Sequence, residues 1–331
     1  MRGWRLIFLL LFVGVTAAGV YVWRAYKRPL DMPADRVEVR IAARSSARSI
    51  ARQLQQAGVK LDVEAFVAAA RATGATQALR AGRYEFAHGM NLLAIVDKLR
   101  RGEVLRERVL IVEGSTFAEM RAALAAHPEL RKDTANMSDA DVLRAVGADE
   151  TSPEGLFAPE TYIFDTGSSD LEVLRQAYRA QRAIMQQAWE GRAPGLPYRT
   201  VYEALIMASI VEKETGTAGE RARIAGVFVN RLQKGMLLQT DPTVIYGLGA
   251  KFDGNLRKRD LSTDTPYNTY TRAGLPPTPI ALPGRASIAA ALNPEPTKAL
   301  YFVSRGDGTS EFSETLMDHN RAVDKYQLGV R

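Results

Sequence analysis

TVYEALIMASIVEKET, residues 200–215, is the stretch whose reading decides the fold. At about 100° per residue, with Glu214 set at zero, Met207, Ile210 and Val211 fall within about 60° of it on a helix. Glu212 falls nearly opposite, near Leu205 and Ala208. Both faces are apolar, so the spacing predicts a helix buried over most of its length, the hub of a mainly helical domain. Glu214 closes one apolar face at the C-terminal end. Burial and the negative helix terminus both favour the neutral acid there, and a raised pKa is what a general acid needs at neutral pH. The same position also suits a solvated carboxylate paired with Lys213, Arg221 or Arg223. Glu203 shares the stripe, so periodicity alone leaves the choice open.

Working outward, residues 171–189 and 220–234 read as helices on either side of the hub, with 286–292 and 314–327 as shorter ones. Residues 299–303 (ALYFV) and 311–313 read as closing strands. Residues 129–151 read as a polar helical insertion. Residues 253–285 are rich in Pro, Gly, Thr and Asn, and so long an irregular stretch suits a binding rim.

Upstream lie three similar units. Strands are expected at 37–41 (VEVRI), 84–86 and 109–112. Nine residues after Ile41, Phe86 and Ile111 come Ile50, Ile95 and Met120, each followed four residues later by a leucine: Leu54, Leu99 and Leu124. Ser46, Asn91 and Thr116 are placed as helix caps, with Thr116 and Glu119 spaced as a capping box. A further helix is expected over 61–70. These βα modules carry no convergent acid, base or metal cluster, and they suit either glycan binding or a structural stalk.

Residues 6–23 (LIFLLLFVGVTAAGVYVW) are eighteen residues without a charge, just long enough to span a bilayer. Trp4, Tyr21, Trp23 and Tyr26 sit where rings prefer the headgroup level. A cleaved signal peptide is the alternative, but the apolar run continues past the small residues at 16–19. The formal charge is +7. Arg2, Arg5, Arg24, Lys27 and Arg28 carry five of these charges before any acid appears, which marks a membrane flank and speaks against a nucleic-acid partner. There are no cysteines, which excludes thiol nucleophiles and disulfides. The three histidines are scattered, and no phosphate loop or dinucleotide fingerprint is present. No metal and no cofactor is expected.

Two further segments carry chemistry. In Gln239-Thr240-Asp241-Pro242-Thr243, Asp241 is either the second carboxylate of a glycosidase or a cap for a following helix or turn. Tyr267-Asn268-Thr269-Tyr270 interleaves rings with amides and hydroxyls, a mixture that suits sugars or a loop anchored by two tyrosines.

The ordered motifs ASIVEKET (208–215), GVFVNRL (226–232), LQTDPTVIYG (238–247), YNTY (267–270) and GLPPTPI (274–280) closely resemble the endolytic murein transglycosylases of the YceG-like (MltG) family. EGLFAPETY (154–162) resembles that family's EG-F-P-DTY segment, with Glu160 where Asp is usual. The resemblance covers essentially the whole chain. It implies an α+β architecture: cytoplasmic tail 1–5, transmembrane helix 6–23, linker 24–36, LysM-like βα subdomain 37–107 and catalytic domain 108–331. It implies cleavage, without water, of the β-1,4 bond between N-acetylmuramic acid and N-acetylglucosamine, giving 1,6-anhydro ends and terminating nascent strands. Glu214 falls on the family's catalytic glutamate. Glu154, Tyr162, Glu220, Gln239, Thr240, Asp241, Tyr267, Asn268, Thr269 and Tyr270 are expected in the substrate groove. Peptidoglycan strands, the synthases that make them, and inner-membrane lipid are the expected partners. A muramidase-type hydrolase using Glu214 with Asp241, and a non-enzymatic wall-binding scaffold, are the rival readings.

Overall fold

A computed structural model describes residues 26–217 and 219–329. The expected transmembrane helix, 6–23, lies outside the described residues. Among the described residues no helix is long and apolar enough to cross a membrane.

The described residues divide into two compact units: those up to residue 107 with 163–168, and residues 108–162 with those from 169 onward. In the first unit β1 (Arg36–Ile41) is followed by α1 (Ala47–Gln56) and α2 (Val63–Ala72). Then come β2 (Gly82–Ala87) and α3 (Leu92–Arg101). β1 and β2 pair antiparallel, with Val37 opposite Phe86 and Val39 opposite Tyr84. Strict alternation puts Val37, Val39 and Ile41 on the buried face, where they meet Ile50, Leu54, Phe66, Ile95 and Leu99 from the helices. Ser46 and Asn91 cap α1 and α3 as expected, and Asp62 caps α2.

The third unit of the apparent repeat behaves differently. Its strand, β3 (Arg106–Leu110), begins earlier than the alternation suggested and pairs with β4 (Thr161–Asp165), not with β1 or β2. Similar βα units therefore do not share one sheet: sequence periodicity fixes which face is buried, while the partner strand is chosen by tertiary packing. α4 (Phe117–Ala126) follows, with the capping box of Thr116 and Glu119 formed.

The expected helical insertion at 129–151 is corrected. Only α5 (Asp139–Val146) is helical there, started by Ser138 and stopped by Gly147 in the left-handed region. Residues 127–138 are held as turns, because Lys132 donates to Leu124 O and Thr134 Oγ1 donates to Asp170 Oδ2 at 2.6 Å. These bonds satisfy polar groups that a helix would have left unpaired.

The core of the second unit is built on α6 (Asp170–Glu190) and α7 (Val201–Glu214). It is completed by α8 (Arg221–Gln233), α9 (Asp241–Leu248), the short α10 (Lys258–Ser262) and α11 (Arg285–Leu292). Eight consecutive residues of α7, Ala204 to Val211, are buried. α7 is enclosed by α6, α8, α9 and α11, as a helix apolar on both faces must be. α8 approaches the 295–297 segment through Gly226, where a Cβ would meet Glu295 O at 2.5 Å. The chain closes with the antiparallel hairpin β5 (Tyr301–Ser304) and β6 (Ser310–Ser313) and with α12 (Leu316–Tyr326). The whole is mixed α+β, mostly helical, with three two-stranded sheets among the described residues.

Candidate active site

Two of the three acids on α7 are engaged away from the cavity. Glu203 accepts from Arg199 N–H at 2.5 Å at the start of the helix. Glu212 accepts from Gly284 N–H at 2.9 Å. Lys213, between the two terminal glutamates, donates to Gly114 O at 3.1 Å. Glu214 alone of these lines a cavity of about 670 Å³. Burial pushes its carboxyl pKa up and the nearby charge of Asp241 adds to this, while the Thr240 hydrogen bond and the charge of Arg231 oppose it. Thr240 Oγ1 donates to Glu214 Oε2 at 2.6 Å.

The segment that delivers Thr240 is held by its own backbone. Gln239 adopts φ +51°, unusual for a residue with a side chain. Its N–H donates to Thr269 O at 3.1 Å, and Thr240 N–H donates to Thr269 Oγ1 at 3.1 Å. Thr243 Oγ1 lies 2.9 Å from Thr269 Oγ1 and donates to Thr240 O at 2.7 Å. Asp241 opens α9 but is not its cap: Thr240 holds that position and makes no side-chain capping bond. Asp241 Oδ1 instead accepts from Tyr270 Oη at 2.5 Å at the mouth of the cavity.

Much of the rest of the lining comes from residues that sequence reasoning missed. Ile224, Phe228 and Arg231, spaced on one face of α8, line the cavity with Tyr301, Phe302, Leu316 and His319. Arg231 is 8% exposed. Its Nε donates to Leu300 O at 2.6 Å, its Nη1 to Leu238 O at 2.8 Å and Leu237 O at 3.2 Å. Its guanidinium lies 5.0 Å from the Tyr301 ring centroid, and Tyr301 stacks on His319 at 5.2 Å. Burial lowers the His319 pKa, and the charge of Arg231 lowers it further. An arginine at the i+7 position of an otherwise apolar stripe was the available signal.

The expected groove residues therefore separate. Glu214, Glu220, Gln239, Asp241 and Tyr270 line the cavity, and Thr240 touches it through Glu214. Both oxygens of Glu220 are taken by Ser310, from N–H at 2.7 Å and from Oγ at 2.8 Å. Glu220 thus ties down the hairpin. Thr269 is the buried brace under Thr240. Asn268 is fully buried, and its Nδ2 donates to three carbonyls, those of Asp260, Leu261 and Thr263. Tyr267 bonds Thr278 and packs on Tyr246. Glu154 and Tyr162, also expected in the groove, do not line this cavity. Glu154 is 5% exposed and accepts from Phe117 N–H and Tyr246 Oη. Tyr162 is enclosed in the core, with its Oη donating to Ala158 O at 2.5 Å. In both cases a polar group in an apolar setting has found an internal partner. Among the described residues no three His, Asp or Glu side chains cluster so as to hold a metal ion.

The chain belongs to the YceG-like family, whose sequence model matches residues 39–325. An endolytic murein transglycosylase of Bacillus subtilis (strain 168) is 34% identical over 264 residues, 75% of this chain and 73% of that protein. One from Streptococcus pneumoniae (strain D39) is 37% identical over 130 residues, 38% of this chain and 23% of that protein. The crystal structure of a YceG-like protein from Listeria monocytogenes aligns with a TM-score of 0.56 at 32% identity. That alignment covers 87% of this chain and 98% of that one.

Proposed function

We propose that the chain is a lytic transglycosylase of peptidoglycan in which Glu214 is the single acid/base. One observation carries the reading: a carboxyl with a raised pKa, gripped by Thr240, at the wall of a cavity large enough for sugar rings. Because Oε2 accepts the Thr240 hydroxyl, Oε1 is left to carry the transferable proton. Glu214 gives that proton to the glycosidic oxygen as the bond from muramic C1 to that oxygen breaks, releasing the 4-hydroxyl of N-acetylglucosamine. The 2-acetamido group supports the cationic C1. The Glu214 carboxylate then takes the proton of the muramic C6 hydroxyl while that oxygen bonds C1 and closes the 1,6-anhydro ring. The acid is regenerated and no water is consumed. A raised pKa serves both halves, since the group must be a fair acid and a fair base near neutrality.

Asp241 gives the hydrolytic alternative its footing, because it shares the cavity and its carboxylate is oriented by the Tyr270 hydroxyl. Mass spectrometry of digested, uncrosslinked glycan separates the readings. Anhydro-muramic ends that vanish with Glu214→Gln support the transglycosylase. Reducing ends indicate hydrolysis with Asp241. Undiminished cleavage by Glu214→Gln removes Glu214 from the reaction, and no cleavage by the unaltered protein leaves a binding scaffold.

The apolar segment 6–23 supports an inner-membrane anchor with the remainder in the periplasm. A tether of that kind favours glycan close to the bilayer, where synthases extend strands, and so supports a role in ending their growth. Membrane flotation of the full chain, against a chain lacking residues 1–25, tests the anchor. The first unit then serves as the glycan-binding or spacing element.

A further inference from the structure

A guanidinium buried to this degree ordinarily has a carboxylate beside it, yet Arg231 has none within 4.0 Å among the described residues. Its bonds go to the carbonyls of Leu237, Leu238 and Leu300 and, at 3.4 Å, to Gln239 Oε1. These partners are neutral dipoles: they fix the group without cancelling its charge. The fourth side, the Tyr301 ring, is also neutral, and the histidine behind that ring is held toward its neutral form. Nη2 has no protein partner among the described residues, and the side chain lines the same cavity as Glu214.

The remaining ionisable groups around Glu214 make no ion pair with Arg231. Asp241, on α9, is engaged by Tyr270. Glu220, at the start of α8, gives both oxygens to Ser310. On α7 itself Glu212 and Lys213 bond Gly284 and Gly114. His319 faces the cavity from α12. The cavity therefore keeps a fixed cation that no carboxylate touches among the described residues, near a carboxyl that must become an anion halfway through the reaction proposed above.

We infer that Arg231 is a positioning residue that acts through Glu214. Its charge, insulated by neutral partners, holds the Glu214 carboxylate in the interval between giving up one proton and taking the next. This rests on the transglycosylase reading for its purpose but not for its physics. Without such a cation, a buried carboxylate would reclaim its proton and collapse the step backwards. With a cation in direct contact, the carboxyl would be too weakly basic to take the C6 proton. A nearby cation without contact lies between these limits. The coupling is reciprocal, since Arg231 lowers the Glu214 pKa and Glu214 raises that of Arg231.

The test is a direct titration of the Glu214 carboxyl by infrared difference spectroscopy, with Glu214→Gln as the blank, in the unaltered protein, Arg231→Met and Arg231→Lys. Arg231→Met should move the Glu214 titration to higher pH, while Arg231→Lys, which keeps the charge, should leave it close to its original position. In cleavage assays Arg231→Met should lower kcat by about tenfold or more with little change in KM, and move the alkaline limb upward. If Arg231→Met fails to fold, Arg231→Gln with Arg231→Lys gives the same comparison. An unmoved Glu214 titration, or a loss of kcat that is equal in Lys and Met variants with no change in the pH profile, overturns the inference and leaves Arg231 as scaffold. A shifted titration in a protein that cleaves no glycan overturns the proposed function instead.

Discussion

Thr240 stands at the N-cap position of one helix and gives its hydroxyl to the last residue of another, Glu214, 2.6 Å away. The usual use of a threonine at that position is to accept a bond from its own helix. Here the helix start is left to Pro242, which needs no N–H partner, and the hydroxyl is free to orient a carboxyl on α7.

Thr240→Val should therefore cost catalysis more than stability. The lost hydrogen bond favours the charged form of Glu214, so its removal raises that pKa further and shifts the alkaline limb of the cleavage profile upward. We expect kcat to fall by about tenfold and unfolding free energy by about 1 kcal/mol, with Thr240→Ser close to the unaltered protein. Steady-state rates across pH and urea titrations check both.

Glu214→Gln should abolish cleavage without unfolding the protein. The folded pKa of Glu214 is raised, so its contribution to stability is complete below the unfolded carboxyl range and is lost as pH rises through the folded value. The amide carries no such penalty. Its Tm should thus equal or exceed that of the unaltered protein at pH 8, and the advantage should vanish at about pH 4. Calorimetry at both pH values decides, and a lower Tm at pH 8 contradicts the account.

Glu154 offers a second pH effect away from the cavity. Burial pushes its pKa up to about 7, against the hydrogen bonds of Phe117 and Tyr246. The sign is the same: stability is highest below about pH 4.3 for this group and declines as pH rises toward and past about 7. Glu154→Gln keeps an acceptor for Phe117 N–H and removes the charge. It should flatten the dependence of Tm on pH between 5 and about 8 while leaving glycan cleavage intact. Loss of cleavage with normal folding would return Glu154 to the groove.

Glu220→Ala frees Ser310 and with it the hairpin tip that walls the cavity. Stability should drop by about 1–3 kcal/mol and KM should rise, with kcat less affected because Glu220 does not touch Glu214. Ser310→Ala should reproduce part of the KM effect.

Gly226→Ala tests the packing beneath the site. Its new Cβ would meet Glu295 O at 2.5 Å and Thr297 Cγ2 at 2.9 Å, and a backbone carbonyl cannot swing aside as a side chain can. A loss of about 1–3 kcal/mol is expected, measured by urea unfolding. A neutral result means that α8 and the 295–297 segment separate more easily than their close approach implies.

Much of the local structure was legible in the residues. The helices around 200–215 and 171–189, the caps at Ser46, Asn91 and Thr116, and the closing strands all follow from periodicity and capping chemistry, which act over a few neighbours. Glu214 was legible as a candidate for the same reason, and the motifs that run from 208 to 280 placed it in its family. What failed were particular inferences whose outcome turned on a partner from far along the chain. Glu154 and Tyr162 read as groove residues because they are polar groups in a distinctive motif, but backbone and hydroxyl partners drew them inward. Residues 129–138 read as helix because Asp170, over thirty positions away, was not visible as a partner of Thr134.

Sequence by itself determined most of the helices, which of their faces are apolar, and that a carboxyl would end the most buried helix; these are properties of residues three or four apart. Only the tertiary structure decided that Thr240 would grip that carboxyl, that Glu220 would tie down a hairpin, and that an arginine touched by no carboxylate among the described residues would line the same cavity. The reason is range. A pKa and a hydrogen bond depend on what lies within a few ångströms in space, and the chain brings those groups together only when its apolar faces have been buried.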